Sequence, residues 1–169
     1  GNVHRFGHST RVMQKTVSGT SASQITYRER LSPSLWVLSG AAMAAPMAAL
    51  VFTPINTTVA LGIGVAVAIA VVAGLFGASP IVEVRDGVLY AGRAHISTTL
   101  LGEPAEFIGE SARQARGPGL DRTSWHLIRG GIDGLIVVPV IDPDDPTSAW
   151  VISTRTPDRL AAAIRRSKI

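Results

Sequence analysis

Few side chains in this sequence stand where chemistry needs them. Asp142, Asp144 and Asp145 share the turn DPDDPT, and three carboxylates so close together would suit a calcium loop. Pro143 and Pro146 break the ligand spacing, however, no glycine stands at the sixth position, and Ser153 occupies the place of the bidentate glutamate. The turn reads as structural. Ser124 and His126 lie two apart on an expected strand, so their side chains share a face, and Asp121 is close in sequence. A hydrolytic triad would need a nucleophile elbow or oxyanion-hole glycines around Ser124, and the local sequence has neither. His95 stands alone and reads as an ordinary strand histidine, while His4 and His8 are too isolated for a metal site. The run GGIDG falls between two expected strands without a following helix, which argues against a phosphate loop or dinucleotide fingerprint. With no cysteine there is no thiolate nucleophile, zinc site of the cysteine type or disulfide framework. No catalytic, cofactor-binding or metal-ligating residue is assigned, and the chain reads as a non-enzyme without a cofactor.

The chain that must position these groups is small and poor in charge. Its 169 residues suffice for one ordinary domain with an appendage. Hydrophobic residues reach 46% while charged residues stop at 17%, and mean hydropathy is +0.29, which excludes a disordered chain. The deficit of charge is local: none of the 52 positions from Leu31 to Val82 holds Asp, Glu, Lys, Arg or His. Within this gap two apolar runs of 18 residues, Leu35–Phe52 and Val59–Phe76, flank the polar TPINTT. As helices each would span about 27 Å, close to the roughly 30 Å hydrocarbon core of a bilayer. Leu, Ile, Val and Phe contribute about −3 to −6 kcal/mol to insertion of the second run and about −2 to −4 kcal/mol to the first. A fully apolar hairpin buried in a water-soluble protein would need a surrounding core that the remaining residues cannot supply. A cleaved signal peptide at GAAMAAPMAA fails because about thirty residues precede it and a second span follows. Residues 27–80 are therefore expected to form a two-helix transmembrane hairpin.

Charge sets the expected orientation. Residues 1–30 carry Arg5, Arg11, Lys15, Arg28 and Arg30 against Glu29 alone, whereas residues 83–169 carry eleven basic and eleven acidic groups. The whole formal charge of +4 sits before the first span, so the positive-inside rule predicts a multi-pass protein of the cell membrane with both termini cytoplasmic and only Thr53–Thr58 outside. Arg28, Arg30 and Trp36 are expected at the membrane interface, and residues 1–26 as a flexible basic arm over an anionic leaflet. Asn56-Thr57-Thr58 matches a glycosylation sequon by chance, too close to the bilayer to be used. Small residues recur every four positions, as Gly40, Ala44 and Ala48 in the first run and Gly62, Ala66, Ala70 and Gly74 in the second. Such faces let helix backbones approach closely, either against each other or against another membrane protein or a second copy of this chain. No charged residue lies inside either run, which argues against an ion path or transport site.

After the spans the pattern changes to short strands. IVEVR, Asp86-Gly87 and VLYAG form a hairpin signal, because Asp-Gly accepts the positive φ values of a type I′ turn. Strands are expected at Ala94–Leu100 and Glu106–Glu110, then in SWHLIR, LIVVPV and SAWVIST, with Pro139 marking an edge or bulged strand. A helix over 157–167 closes the chain, with Thr156 as N-cap, Pro157 first, Asp158 in the first turn, and Arg165, Arg166 and Lys168 near the end. Leu160, Ala161 and Ile164 form its apolar stripe. Six or seven antiparallel strands closed by one helix is the order of a mainly-β, pleckstrin-homology-like barrel over residues 81–169.

YRERL before the first span, the two spans, VRDGVLYAGRAHI, the DPDDPT turn, WVIST and TRTPDRLAAAI resemble the actinobacterial membrane-protein family catalogued as domain of unknown function 3093. The resemblance covers roughly residues 26–167. It implies a small integral membrane protein with a PH-like cytoplasmic part and no established activity. The resemblance and the local chemistry together predict a structural clamp in which Arg155 pairs with Asp142 or Asp145 and fixes the exit of the last strand into the helix. The expected function is a non-catalytic, membrane-anchored accessory or scaffold protein whose partners are the lipid bilayer and a membrane or envelope protein complex or a second copy of itself. The alternative is a PH-like domain that senses a lipid headgroup or small molecule at the membrane. A phosphoinositide site would want more cations near the first hairpin turn than Arg85 and Arg93 beside Glu83. Nucleic acid is not expected as a partner, since the pI of about 10.3 comes from the N-terminal arm and not from a basic stripe.

Overall fold

The computed structural model describes residues 23–168. The first 22 positions of the expected basic arm, His4 and His8 among them, lie outside the described residues. The chain enters on a strand, β1 (Ile25–Arg30), which was expected to be partly arm and partly approach to the first span. Two apolar helical segments follow, α1 (Leu35–Ala42) and α2 (Ala44–Phe52), and then one long helix, α3 (Thr57–Gly77). Both 35–52 and 57–77 are long and apolar enough to cross a membrane. The first is interrupted at Met43 because Pro46 has no N–H to return to the carbonyl four residues earlier. Asn56 is the N-cap of α3, accepting hydrogen bonds from the N–H groups of Thr58 (2.9 Å) and Val59 (3.3 Å), so the loop between the helices is shorter than TPINTT.

The remaining chain builds two four-stranded sheets. β2 (Ile81–Arg85), β3 (Val88–Ala91) and β4 (Ala94–Ser97) form an antiparallel meander, and β1 pairs with β2, giving the order β1-β2-β3-β4. The apolar hairpin is thus an insertion between two neighbouring strands of one sheet. Residues 25–30, expected to be arm and approach to the first span, thus share a sheet with the strands that begin at residue 81. Asp86 (φ 50°) and Gly87 (φ 74°) adopt the left-handed turn expected of them. The second sheet has the order β5-β7-β8-β6, from β5 (Ala105–Phe107), β6 (Trp125–Leu127), β7 (Leu135–Pro139) and β8 (Ala149–Ser153).

Four expectations change here. The sheets do not close into a barrel: a 3-10 turn at Thr98–Leu100 interrupts the path from β4 to β5, and a single bridge, Leu101 to Val140, crosses toward β7. The strands are not all antiparallel, since β6 runs parallel to β8 with Trp125 opposite Trp150, their rings 4.4 Å apart. β7 is central and not an edge. Pro139 is its last residue, and its missing N–H faces the side where the ladder with β5 has already ended at Val137. The strand expected at 106–110 stops at Phe107 and gives way to a helix, α4 (Gly109–Arg116). Gly109 enters it at φ 60°, and Ser111 Oγ accepts from the Ile108 N–H.

α5 (Pro157–Arg166) begins at Pro157 as expected and buries Leu160, Ala161 and Ile164 completely. Leu160 and Ile164, with Ala163, join Leu31, Val82, Val84, Leu89, Ile136, Val138 and Ile152 in one core between the two sheets. Thr156 precedes the helix but does not cap it through its side chain; its Oγ1 is 2.8 Å from the Tyr27 hydroxyl instead. Lys168 Nζ donates to the Gly102 carbonyl (2.6 Å), tying the helix end to the loop before β5.

Candidate functional site

The small-residue faces do not meet as simply as their spacing implies. Ala60 and Gly64 are the buried residues of α3, and a Cβ on Gly64 would lie 3.0 Å from the Ala45 carbonyl oxygen and 3.2 Å from Ala49 Cβ. The hairpin therefore closes through Ala60 and Gly64. Gly62, Ala66, Ala70 and Gly74 are all exposed, and a Cβ on Gly62, Gly74 or Gly40 would meet nothing within 4 Å. Ala44 and Ala48 are half-buried, on the side of the first segment that turns toward α3. The stripe in α3 thus lies outside the hairpin contact, because the inward repeat runs from residue 60 and not from 62.

The hairpin joins the sheets through polar backbone contacts. Arg129 donates to the Ala78 carbonyl at the C-terminus of α3 (3.1 Å), a favourable place for a cation. Gly131, at φ 79°, sits so close to Ser34 that a Cβ would lie 2.5 Å from the serine Cβ. Trp36 is 87% exposed beside this junction, and Arg30 is exposed as well. Arg28 reaches Glu83 on β2 only distantly, at 4.0 Å.

Arg155 does not pair with Asp142 or Asp145. Its guanidinium lies 3.6 Å from Glu29 and donates to the carbonyls of Arg30 (3.3 Å) and Ser32 (2.9 Å). The Glu29 carboxylate also accepts the Arg155 N–H (3.0 Å), the Thr154 hydroxyl (2.6 Å) and the Tyr27 hydroxyl (2.7 Å). Burial, ahead of its hydrogen bonds, pushes the Tyr27 hydroxyl above the ordinary tyrosine range. Arg155 thus joins β1 to the turn before α5 and makes no contact of the expected kind with the DPDDPT turn. Asp142 and Asp145 instead accept the N–H groups of Asp144 (3.0 Å) and Thr147 (2.8 Å), local turns that use up the carboxylates the prediction had assigned to arginine.

Asp121, Ser124 and His126 do not form a triad. Asp121 accepts the hydroxyls of Thr123 and Ser148, both at 2.9 Å, and Ser124 Oγ lies 3.2 Å from Ser148 Oγ. The backbone N–H of Thr123, followed by the Ser148 hydroxyl, holds the Asp121 carboxyl below its ordinary range, the wrong direction for a general base. The network rims an apolar groove of about 650 Å³ between α4 and the second sheet, floored by Phe107, Ala115, Val137 and Val151. No group of three or more His, Asp or Glu side chains suited to a metal occurs among the described residues.

A second concave surface, a groove of about 770 Å³, lies between β1 and α5. Arg28, Arg155, Arg159 and Arg166 line it against Glu29 and Asp158, a net charge of +2. Sequence reasoning missed it because its two walls are about 130 residues apart and neither is a basic run.

Residues 26–164 match the profile of a protein family described as Protein of unknown function (DUF3093). This chain is a DUF3093 protein. No curated protein and no solved structure matches it. The DUF3093 match starts within β1 and ends within α5, so it contains the apolar hairpin, the Glu29 contacts and every lining residue of the basic groove except Arg166.

Proposed function

We propose that this DUF3093 protein is a non-catalytic, membrane-anchored accessory or scaffold protein, held in the cell membrane by its apolar hairpin and engaging a membrane-protein partner or a second copy of itself. The observation that carries the reading is the outward stripe of Gly62, Ala66, Ala70 and Gly74, left over after α3 has packed on α2 through Ala60 and Gly64. Between helices in lipid, where no hydrophobic effect drives association, such a surface permits close backbone approach. The excess of cations before the first span supports cytoplasmic termini.

Replacing both Ala66 and Ala70 by Leu tests the reading in mild detergent. The expected result is release of a co-purifying membrane protein, or conversion of a homodimer to monomer, with the sheets still folded by circular dichroism. An assembly state unchanged by the double substitution would count against it. Single cysteines at Ser23, Asn56 and Ser153 test the topology, with only Asn56 expected to react with an impermeant thiol reagent from outside.

A further inference from the structure

The basic groove has a second property besides charge. Four successive residues of β1, from Thr26 to Glu29, line it. Successive side chains of a strand point to opposite faces, so a groove that touches all four runs along the edge of the strand and not over one face. Among the described residues β1 is the outermost strand of its sheet and pairs only with β2. The Leu31 N–H donates to the Pro80 carbonyl (2.9 Å), which makes that position a hydrogen-bonded pair. Antiparallel alternation then turns the N–H and C=O of Arg28 and Arg30 away from β2 and toward the groove. Arg155 caps the Arg30 carbonyl (3.3 Å), whereas the backbone groups of Arg28 have no partner among the described residues.

The opposite wall is one face of α5. Arg159, Ala162 and Arg166 follow each other at helical spacing, the arginines about 10 Å apart along the axis with a small residue between them. Both arginines are exposed and make no hydrogen bond or ion pair among the described residues. Glu29 is occupied by its own hydrogen bonds, which leaves Asp158 as the one carboxylate opposing them in the groove.

We infer that this groove binds an extended acidic segment of another protein, which adds a strand to the free edge of β1 and sets its carboxylates against Arg159 and Arg166. A strand edge offers alternating donors and acceptors, which match a peptide backbone; a phosphate would be met by the carbonyls as well as the N–H groups. Arginine forks then select carboxylates at alternate positions of the added strand. The chain's own N-terminal segment is the wrong occupant by charge, since residues 1–24 hold Arg5, Arg11 and Lys15 and no acidic residue. The surface is separate from the stripe on α3 and does not depend on it.

The test is selection of a random eight-residue peptide library on the full chain in detergent micelles. Enrichment of Asp or Glu at every second position is expected, with affinity falling at least tenfold in the Arg159→Glu, Arg166→Glu double variant. Arg28→Pro removes an N–H that makes no bond to β2, and is expected to weaken binding well beyond Arg28→Ala. Should the proline variant fail to fold, slowed hydrogen exchange of the Arg28 amide on peptide binding reports the same contact. Selection without acidic enrichment, binding indifferent to the arginine reversals, or no edge signal at Arg28 overturns the inference. So does glycerol phosphate, used as a headgroup probe, occupying the groove in an Arg159-dependent way while no peptide is enriched.

Discussion

The apolar hairpin and the sheet unit are built from the same amino-acid types and hold together for different reasons. In the sheet unit the large aliphatic side chains are inside: Leu31, Leu89, Ile136, Ile152, Leu160 and Ile164 are all 0% exposed. In the hairpin they are outside. Fourteen of the eighteen exposed large hydrophobic residues among the described ones lie between Leu35 and Phe76, while its buried positions are Ala60 and Gly64. A core of that kind gains little from expelling water, and the hairpin's two helices are long and apolar enough to cross a membrane. The sheet unit carries its own apolar interior.

That contrast is most sharply tested by paired substitutions of one residue type. Ile164→Ala empties part of the core and is expected to cost about 2–5 kcal/mol in denaturant unfolding of the full chain in micelles. Ile69→Ala, at a position 65% exposed, is expected to change stability by less than about 0.5 kcal/mol. Equal losses would mean that the hairpin surface is packed against protein and not against its solvent.

Glycines reverse the order. Gly64→Leu must push against the Ala45 carbonyl and Ala49, and should destabilise the hairpin by about 1–3 kcal/mol. Gly62→Leu meets open space and should leave the melting temperature in micelles nearly unchanged. A Gly62 variant as damaging as the Gly64 variant would break the assignment of inner and outer faces.

Within the sheet unit, two half-buried carboxylates should also part company. Glu29→Gln weakens the charge-assisted bonds from Thr154, Tyr27 and Arg155 and should cost about 1–3 kcal/mol in thermal or denaturant unfolding. Asp142→Asn keeps an acceptor for the Asp144 N–H, and so should be nearly silent by the same measurement.

The smallest effect is at Asp121. Its pKa is held down in the folded state by the Thr123 N–H and the Ser148 hydroxyl, so its contribution is present above the ordinary carboxylate range and lost as pH falls through the depressed value. Asp121→Asn should lower stability slightly at neutral pH and leave it unchanged below the depressed value, so that the acid limb of the stability profile is flattened. An unchanged acid limb in a pH series of melting curves would remove Asp121 from the account.

Sequence alone determined whatever depends on neighbours along the chain. The two apolar helices follow from a charge-free run longer than any ordinary core helix, the Asp86-Gly87 turn from backbone sterics, and the ends and buried stripe of α5 from Pro157, Asp158, Leu160 and Ile164. Only the tertiary structure decided what depends on distant segments meeting. β1 is six polar and apolar residues with no strong pattern, and becomes a strand because β2 waits for it on the far side of the hairpin. α4 has two alanines for an apolar face, too weak a period to read, and β6 joins β8 in parallel through a pairing no local signal carries. Arg155 had carboxylates close in sequence and took Glu29, because the nearby aspartates were already satisfied by their own turn and Glu29 faced it across the fold. Short-range sterics and solvent preference are written residue by residue, whereas register, sheet closure and the partners of charged side chains are settled by which surfaces the fold brings within hydrogen-bonding distance.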